Sequence, residues 1–302
     1  NLKILKKVRL ALITLSNGHR FEYVVASGAL AFDGQGWFWD KPLVWFRRIR
    51  PELFTVVLRT LTLKPRPYPV SNLSWVRPWT WLPWSSRSCV QFLPNGGAVN
   101  KVGLYNLGID WWCQEVGPRL DFEKYPLVAS IQGTTEELIA MARRFNPFAV
   151  KAVEVNVSCP NSGHPMEAAE YVIQSVCAVK RVTVHPVIAK LSVDQRYLEI
   201  AEALKRTAEA IDFNSVPWAT WAKQFSGSPP KSPVEKIGQP GSGGGGVSGR
   251  PAQAANWKAV KDLAEQGALP VIGPSVMEFA DIKRVRKLGA RAVSFGTIHL
   301  RT

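Results

Sequence analysis

The run Asn156-Val157-Ser158-Cys159-Pro160-Asn161 carries the densest chemistry in the chain. Lys151 to Val157 read as a short buried strand containing Glu154, and Pro160 and Gly163 stop it and open a polar loop. Cys159 therefore stands just past a strand's carboxyl end, between two asparagines able to hydrogen-bond a planar ligand, where α/β proteins usually place their chemistry. A small buried thiol is the plainer reading of any lone cysteine. Lys190 is the second candidate. It ends the apolar strand Val187-Ile188-Ala189, where a lysine does nothing for solubility, and a buried ammonium needs an anionic partner or a lowered pKa. Snorkelling out of the strand end is its structural alternative. Gly243 to Gly249 ahead of Arg250-Pro251, and Gly296-Thr297, are candidate phosphate contacts, because glycines let backbone N–H groups approach an anion. A flexible linker reads the same way at the first of these.

Such residues need a scaffold that gathers strand ends. From Glu22 onward, short apolar runs alternate with helical stretches, the pattern of repeated βα units. Eight strands are predicted, at Tyr23 to Ala26, Phe54 to Leu58, Leu127 to Ile131, Ala152 to Asn156, Val187 to Leu191, Ala210 to Phe213, Leu269 to Ile272 and Arg291 to Phe295. Thr134 with Glu137 makes a capping box ahead of Leu138, Ala142 and Phe145. Val172, Val176 and Val179 form one apolar stripe, and Phe279, Ile282 and Val285 another before Gly289. The expectation is a closed (β/α)8 TIM barrel spanning residues 21–302; only Gly296 to Thr302 follow the eighth strand, too few for an eighth helix, so either the chain is truncated or the barrel closes without that helix. Insertions at 64–99, holding Trp75, Trp79, Trp81 and Trp84, and at 226–249 leave from carboxyl ends of strands. Both should lie over the barrel mouth, the second as a mobile loop. Residues 1–20 read as a basic amphipathic segment, with Leu5, Val8, Leu12 and Leu15 at helical spacing among Lys3, Lys6, Lys7 and Arg9.

The formal charge of +15 attracts anions, whether a phosphorylated cofactor, an acidic substrate, anionic lipid or nucleic acid. Arg77 and Arg87 are too sparse among the tryptophans for a strand-binding groove, so no nucleic acid is expected. Cys89, Cys113, Cys159 and Cys177 show no C-x-x-C pairing, so neither a zinc ribbon nor a disulfide scaffold is suggested and a reducing, cytoplasmic setting is expected. No apolar run reaches the roughly 18 residues of a membrane span, and no secretory signal is evident. His19, His164, His185 and His299 have no ligand spacing, so no metal is expected. The strand ends Ala26-Ser27-Gly28, Arg59-Thr60, Gln132-Gly133, Asn156 to Asn161, Lys190, Asn214-Ser215, Gly273 and Gly296-Thr297 would converge on a polar, amide-rich, cationic pocket with few carboxylates. That composition disfavours hydrolysis of glycosides by paired acids.

The run Asn156 to Asn161 resembles the active-site loop of dihydroorotate dehydrogenases of the soluble, cysteine-containing class. The resemblance extends over nearly the whole chain, through Ala26-Ser27-Gly28, Thr60-Leu61-Thr62, Asn100 to Gly108, Lys190-Leu191, Asn214-Ser215, Gly245 to Gly249 and Gly296-Thr297. It implies an FMN-containing barrel that oxidises dihydroorotate to orotate in pyrimidine biosynthesis, with Cys159 removing the C5 proton while C6 passes hydride to the flavin. Lys190 would lie against the flavin's pyrimidine end. Ala26, Ser27, Thr60, Asn100, Asn156, Gly249, Gly296 and Thr297 would hold the FMN, and Arg59, Asn100, Gly103, Leu104, Asn156, Asn161, Asn214 and Ser215 the substrate. A homodimer is common in that family. The electron acceptor is fumarate, a quinone, or an electron-transfer partner subunit carrying FAD and an iron–sulfur cluster. Three features depart from the family: Arg59 replaces a lysine, Gly273-Pro274-Ser275 replaces a Gly-Gly pair, and the insertion before Asn100 is richer in tryptophan. With the basic segment, that insertion could face a membrane surface. The alternatives to dihydroorotate oxidation are action on another dihydropyrimidine, such as dihydrouracil, or a barrel that has lost catalysis.

Overall fold

The computed structural model describes residues 12–66, 89–93, 95–158, 168–235 and 243–300. The chain begins there with a short antiparallel hairpin, β1 (Ile13–Thr14) and β2 (Arg20–Phe21). Barrel strands and helices then follow as β3 (Tyr23–Val25), α1 (Lys41–Trp45) and β4 (Thr55–Val57). An inserted hairpin of β5 (Val90–Leu93) and β6 (Gly97–Asn100) and the short α2 (Gly108–Trp111) precede β7 (Leu127–Ile131). Next come α3 (Thr135–Phe145), β8 (Ala152–Asn156), α4 (Ala169–Val182), β9 (Val187–Leu191), α5 (Tyr197–Leu204) and β10 (Ala210–Phe213). A second excursion holds β11 (Val216–Pro217), α6 (Trp218–Ala222) and β12 (Gly246–Gly249), and α7 (Gln253–Gln266), β13 (Ile272–Gly273), α8 (Phe279–Lys287) and β14 (Ala292–Phe295) complete the repeat.

Eight strands pair in the order β10-β9-β8-β7-β4-β3-β14-β13, all in parallel. A parallel bridge between Ile211 and Val271 joins β10 to the residue ahead of β13 and closes the ring. The fold is thus a (β/α)8 TIM barrel. Strands covered on both faces must be apolar throughout, which is why they read as continuous runs of Val, Ile, Leu and Ala. One interior layer takes Val24, Val57, Val128, Ala152, Ile188, Ala210, Ile272 and Ala292, one from each barrel strand, and against it pack Ile13, Leu15 and Phe21. The β1–β2 hairpin therefore plugs the amino-terminal end. Here the helix-like spacing expected up to Leu15 gives way to a strand and a buried leucine; residues 1–11 lie outside the described residues.

The α3 capping box forms as expected: Thr134 Oγ1 accepts from the Glu137 amide at 3.3 Å and the Glu137 carboxylate accepts from the Thr134 amide at 3.0 Å. In α8 the expected stripe is only partly apolar. Phe279 is 89% exposed, while Asp281 is buried and accepts from the Met277 amide and the Gln253 side chain, each at 3.0 Å, so an acid satisfying orphan donors takes a core position.

The two insertions meet over the mouth as one antiparallel sheet, ordered β11-β12-β6-β5. The end of the glycine-rich segment is thus a strand rather than the mobile loop its composition suggests; residues 67–88 and 236–242, with Trp75, Trp79, Trp81 and Trp84, lie outside the described residues. Packing explains the glycines. At φ +83°, a Cβ on Gly245 would meet the Asn100 carbonyl at 2.5 Å, and one on Gly244 would meet Trp218 at 2.6 Å.

Candidate active site

At the carboxyl ends of the strands, hydroxyls and amides join into a chain centred on buried Thr60. Its Oγ1 lies 3.1 Å from Ser27 Oγ and 2.8 Å from Ser130 Oγ, and accepts from Asn156 Nδ2 at 3.4 Å. Ser27 Oγ donates to the Leu58 carbonyl at 2.8 Å, which ties β3 to β4. Asn156 Oδ1 accepts from Ser158 Oγ at 2.7 Å; Ser158 Oγ in turn accepts from Asn214 Nδ2 at 2.9 Å, and Asn214 Oδ1 accepts from the Ser215 amide at 2.9 Å. Five residues predicted from sequence, Ser27, Thr60, Asn156, Asn214 and Ser215, are thereby gathered from β3, β4, β8 and β10. Gln195 was missed. Its Nε2 donates to the Val157 carbonyl at 2.7 Å while its Oε1 accepts from the Ser192 amide at 2.8 Å, which fixes the chain as it leaves β8. Cys159 and Asn161 lie outside the described residues.

Lys190 is buried as expected and meets two carboxylates, Glu154 Oε1 at 3.4 Å and Asp212 Oδ2 at 3.7 Å. Glu154 Oε1 also accepts from Ser130 Oγ at 2.8 Å, so the charged cluster is continuous with the Thr60 chain. Burial alone lowers an ammonium's pKa, but the two carboxylates outweigh it and the Lys190 pKa stands above its usual value. Both acids correct the expectation of few carboxylates at the pocket. The signal was an acid inside each otherwise apolar strand, with Asp212 directly across from Lys190 in the β9–β10 register.

Arg59 leaves β4 toward the other side of the mouth. Its Nε donates to the Tyr105 carbonyl at 3.3 Å and its guanidinium to the Gly103 carbonyl at 3.4 Å, while its charge lies 5.8 Å from the Phe32 ring centre and 5.7 Å from that of Trp37. The Leu104 carbonyl accepts from Asn106 Nδ2 at 2.6 Å, so the Gly103–Leu104 stretch is held from both sides. Asn100, at the end of β6, donates to the Gly246 carbonyl at 3.4 Å.

The profile of the dihydroorotate dehydrogenase family matches residues 89–300. The chain belongs to the dihydroorotate dehydrogenase family. Members of this family are oxidoreductases that act on a CH–CH bond. Among its curated relatives, the catalytic subunit of dihydroorotate dehydrogenase B (NAD(+)) from Petrotoga mobilis is 28% identical over 214 residues, covering 67% of this chain and 67% of the relative. The corresponding subunits of Enterococcus faecalis and Geobacillus kaustophilus are each 30% identical, over 210 and 215 residues, covering 67% of this chain and 65% and 64% of theirs. The matched stretch spans about two thirds of each relative's length. The crystal structure of DHODH from Eimeria tenella in complex with ferulenol superposes with a TM-score of 0.64 at 16% identity, covering 95% of this chain and 79% of that one, and supports the fold.

The remaining predicted residues of this dihydroorotate dehydrogenase family member cluster at the β12–β14 side. Gly249, at φ +77°, approaches Gly96, whose carbonyl an added Cβ would meet at 2.7 Å, and lies next to Thr297; a Cβ on Gly296 would stand 3.2 Å from that of Ala26. The Ala26 amide donates to the Phe295 carbonyl at 2.9 Å. Ser275, in the segment expected to depart from the family's pattern, adopts φ +65°, a left-handed conformation that glycine takes without strain. Asn256 Nδ2 donates to Ser275 Oγ at 3.0 Å and Gln253 Nε2 to its carbonyl at 3.0 Å, which holds serine in this left-handed conformation.

Proposed function

We propose that this chain is an FMN-dependent dihydroorotate dehydrogenase, which oxidises dihydroorotate to orotate by losing a proton from C5 and a hydride from C6. The observation that carries this reading is Lys190, a buried ammonium at a strand's carboxyl end, beside the hydroxyl and amide chain of Ser27, Thr60, Asn156, Ser158 and Asn214. That donor set fits the ring system of a flavin, which presents carbonyl and ring-nitrogen acceptors and little charge. Lys190 has two long ionic contacts, and an ammonium has three protons, so it can still donate to a ring acceptor. Ala26, Ser27, Thr60, Asn100, Asn156, Lys190, Gly249, Gly296 and Thr297 would hold the FMN, which supplies a two-electron sink when bound.

Ser158 is fastened to Asn156 and Asn214, and the Val157 carbonyl to Gln195, so the chain enters position 159 from a fixed point within the amide ring. This supports Cys159 as the base that removes the C5 proton, a role a nearby cation favours by stabilising the thiolate. Asn100, Asn156, Asn161, Asn214 and Ser215 would read the amides of the substrate ring. Arg59 and the Gly103–Leu104 stretch that it fastens would close the carboxylate side. The named catalytic subunits among the relatives support a partner subunit that takes the electrons. Purified protein is expected to show a flavin spectrum that bleaches on anaerobic addition of dihydroorotate. Cys159→Ala should keep the colour and bleach about 10²- to 10⁴-fold more slowly, the typical contribution of a positioned base. A colourless protein would overturn the reading, and bleaching by dihydrouracil alone would move the substrate.

A second reading concerns location: a cytoplasmic enzyme that touches an anionic membrane surface. Phe38, Trp45 and Phe46 are 74%, 81% and 71% exposed, and Lys41, Arg47, Arg48 and Arg50 neighbour them in sequence, Lys41 pairing with Asp33 and Arg47 and Arg50 sharing Glu52. Exposed aromatics with basic residues close in sequence suit the interface of an anionic bilayer. The protein should co-sediment at low salt with phosphatidylglycerol vesicles and less with phosphatidylcholine, and Trp45→Ser with Phe46→Ser should abolish the difference. Equal recovery in both pellets removes this reading.

A further inference from the structure

The charged cluster under the mouth holds one ammonium for two carboxylates. Lys190 Nζ lies 3.4 Å from Glu154 Oε1 and 3.7 Å from Asp212 Oδ2, and both acids are about 1% exposed. The two carboxylates are not equivalent. Glu154 has the Ser130 hydroxyl as a second donor, whereas Asp212 Oδ1 is buried with no hydrogen-bond partner among the described residues. An ionised carboxylate with a bare buried oxygen and a share in one ammonium is poorly compensated, and an added proton is the simplest remedy.

We propose that Asp212 takes up one proton when a unit of negative charge is added to a flavin held against Lys190, so that the buried cluster keeps its net charge through the reaction. Asp212 is a positioning residue in this scheme, acting through Lys190. The inference rests on the FMN reading above. In the balance, the C6–H bond of the substrate breaks and two electrons leave with its proton as hydride, and the C5 proton passes to Cys159. One negative charge then remains beside Lys190, and a proton from solvent forms an O–H bond on Asp212.

The surroundings support Asp212 as the site. Burial raises its pKa to about 7, against the opposing pull of Lys190, and the Glu154 charge adds to the rise. Lys190 on β9 and Glu154 on β8 are the titratable groups that face it; on the β13 side the adjoining Val271 and Ile272 carry none, and the Phe213 amide favours the ionised form. For the sign, a carboxyl whose folded pKa is raised contributes stability that is fully present below its unfolded value of 3.8 and is lost as pH rises through about 7. His19, at the far end of the barrel, works the other way. Burial and Lys151 push its pKa down to about 4, so its contribution is present above 6.5 and lost as pH falls through 4. Comparing wild type with Asp212→Asn cancels the His19 part.

The test is the midpoint potential of the FMN-loaded protein, poised with dithionite and a mediator, between pH 6 and 9. The expected result is a pH slope of two protons per two electrons over the part of that range above neutrality in wild type, falling to one proton in Asp212→Asn. The urea midpoint of the apoprotein should fall less from pH 5 to 8 in Asp212→Asn than in wild type. A one-proton slope across the whole range in wild type overturns the proposal even if the variant fails to fold. Loss of the second proton in Glu154→Gln but not in Asp212→Asn overturns the assignment to Asp212. A two-proton slope with dithionite in a protein that dihydroorotate does not bleach keeps this inference and removes dihydroorotate as substrate. A protein that takes up no flavin overturns both.

Discussion

Lys190→Met is expected to destabilise the barrel by about 3–5 kcal/mol, the usual cost of stranding buried charges by deleting their partner. Glu154 and Asp212 would then share a dry interior without a cation, Glu154 keeping the Ser130 hydroxyl and Asp212 keeping little. Methionine fills nearly the same volume, so the loss reports charge and not a cavity. Urea unfolding at pH 8 and at pH 5.5 checks this, because at the lower pH Asp212 carries a proton and the penalty shrinks. The double variant Lys190→Met with Asp212→Asn should recover part of the loss, and the two changes should fail to add. Equal destabilisation at both pH values would mean that the cluster does not titrate. The single variant should also lose flavin colour, since the ammonium is the cation beside the hydroxyl and amide chain.

Trp112→Ala is expected to cost a similar amount, about 3–5 kcal/mol, by the cavity it leaves. The indole is fully buried, with ring centres 4.8 Å from Phe145 and 5.1 Å from Phe148, and it occupies the space left by Gly117, where an added Cβ would meet it at 2.7 Å. Its effect should reach the mouth. Trp112 Nε1 donates to the Phe32 carbonyl at 2.8 Å, and the Phe32 ring lies under the Arg59 guanidinium. Trp112→Phe moves the balance between the two consequences: a six-membered ring stays and leaves a smaller cavity, the part-buried Phe32 carbonyl loses its donor, and the cost falls to about 1–3 kcal/mol. The thermal midpoints of the two variants should therefore differ widely. Indistinguishable midpoints would show that the hydrogen bond, and not the packing, holds this corner.

The barrel was legible because its strands are buried on both faces. Val153, Val155, Val187, Ala189 and Ile211 have 0% exposure, and burial of that kind leaves a continuous apolar run that needs no partner to be recognised. The Thr60 chain was legible in membership but not in connectivity. Ser27, Thr60, Asn156 and Asn214 each follow or end a strand, while the links between them depend on how far the strands shear around the ring. Lys190 announced its need for an anion, and the register supplied two. Asp212 was hidden because a single acid in a four-residue strand reads as a strand edge until its neighbours are placed. Ser275 shows the opposite limit: its residue type does not announce a left-handed φ of +65°, which donors from Asn256 and Gln253 hold with a side chain present. Gly243 to Gly249 misled for a related reason, since glycine frees a chain in isolation and lets it pack closely when another backbone lies against it.

The sheet over the mouth has a bearing on how the molecule comes into being. Asn100 and Gly246, paired in it, are 146 positions apart, and Ser248 and Ala98 are separated by 150. As the polypeptide leaves the ribosome, the β5–β6 hairpin is made early and waits with one edge bare until roughly half of the chain has followed. Contacts of such long range form slowly, and an uncovered edge is where association between nascent chains begins. Asn100 thus becomes part of the pocket only late in assembly, and a chain halted before Gly246 carries a barrel wall but no roof.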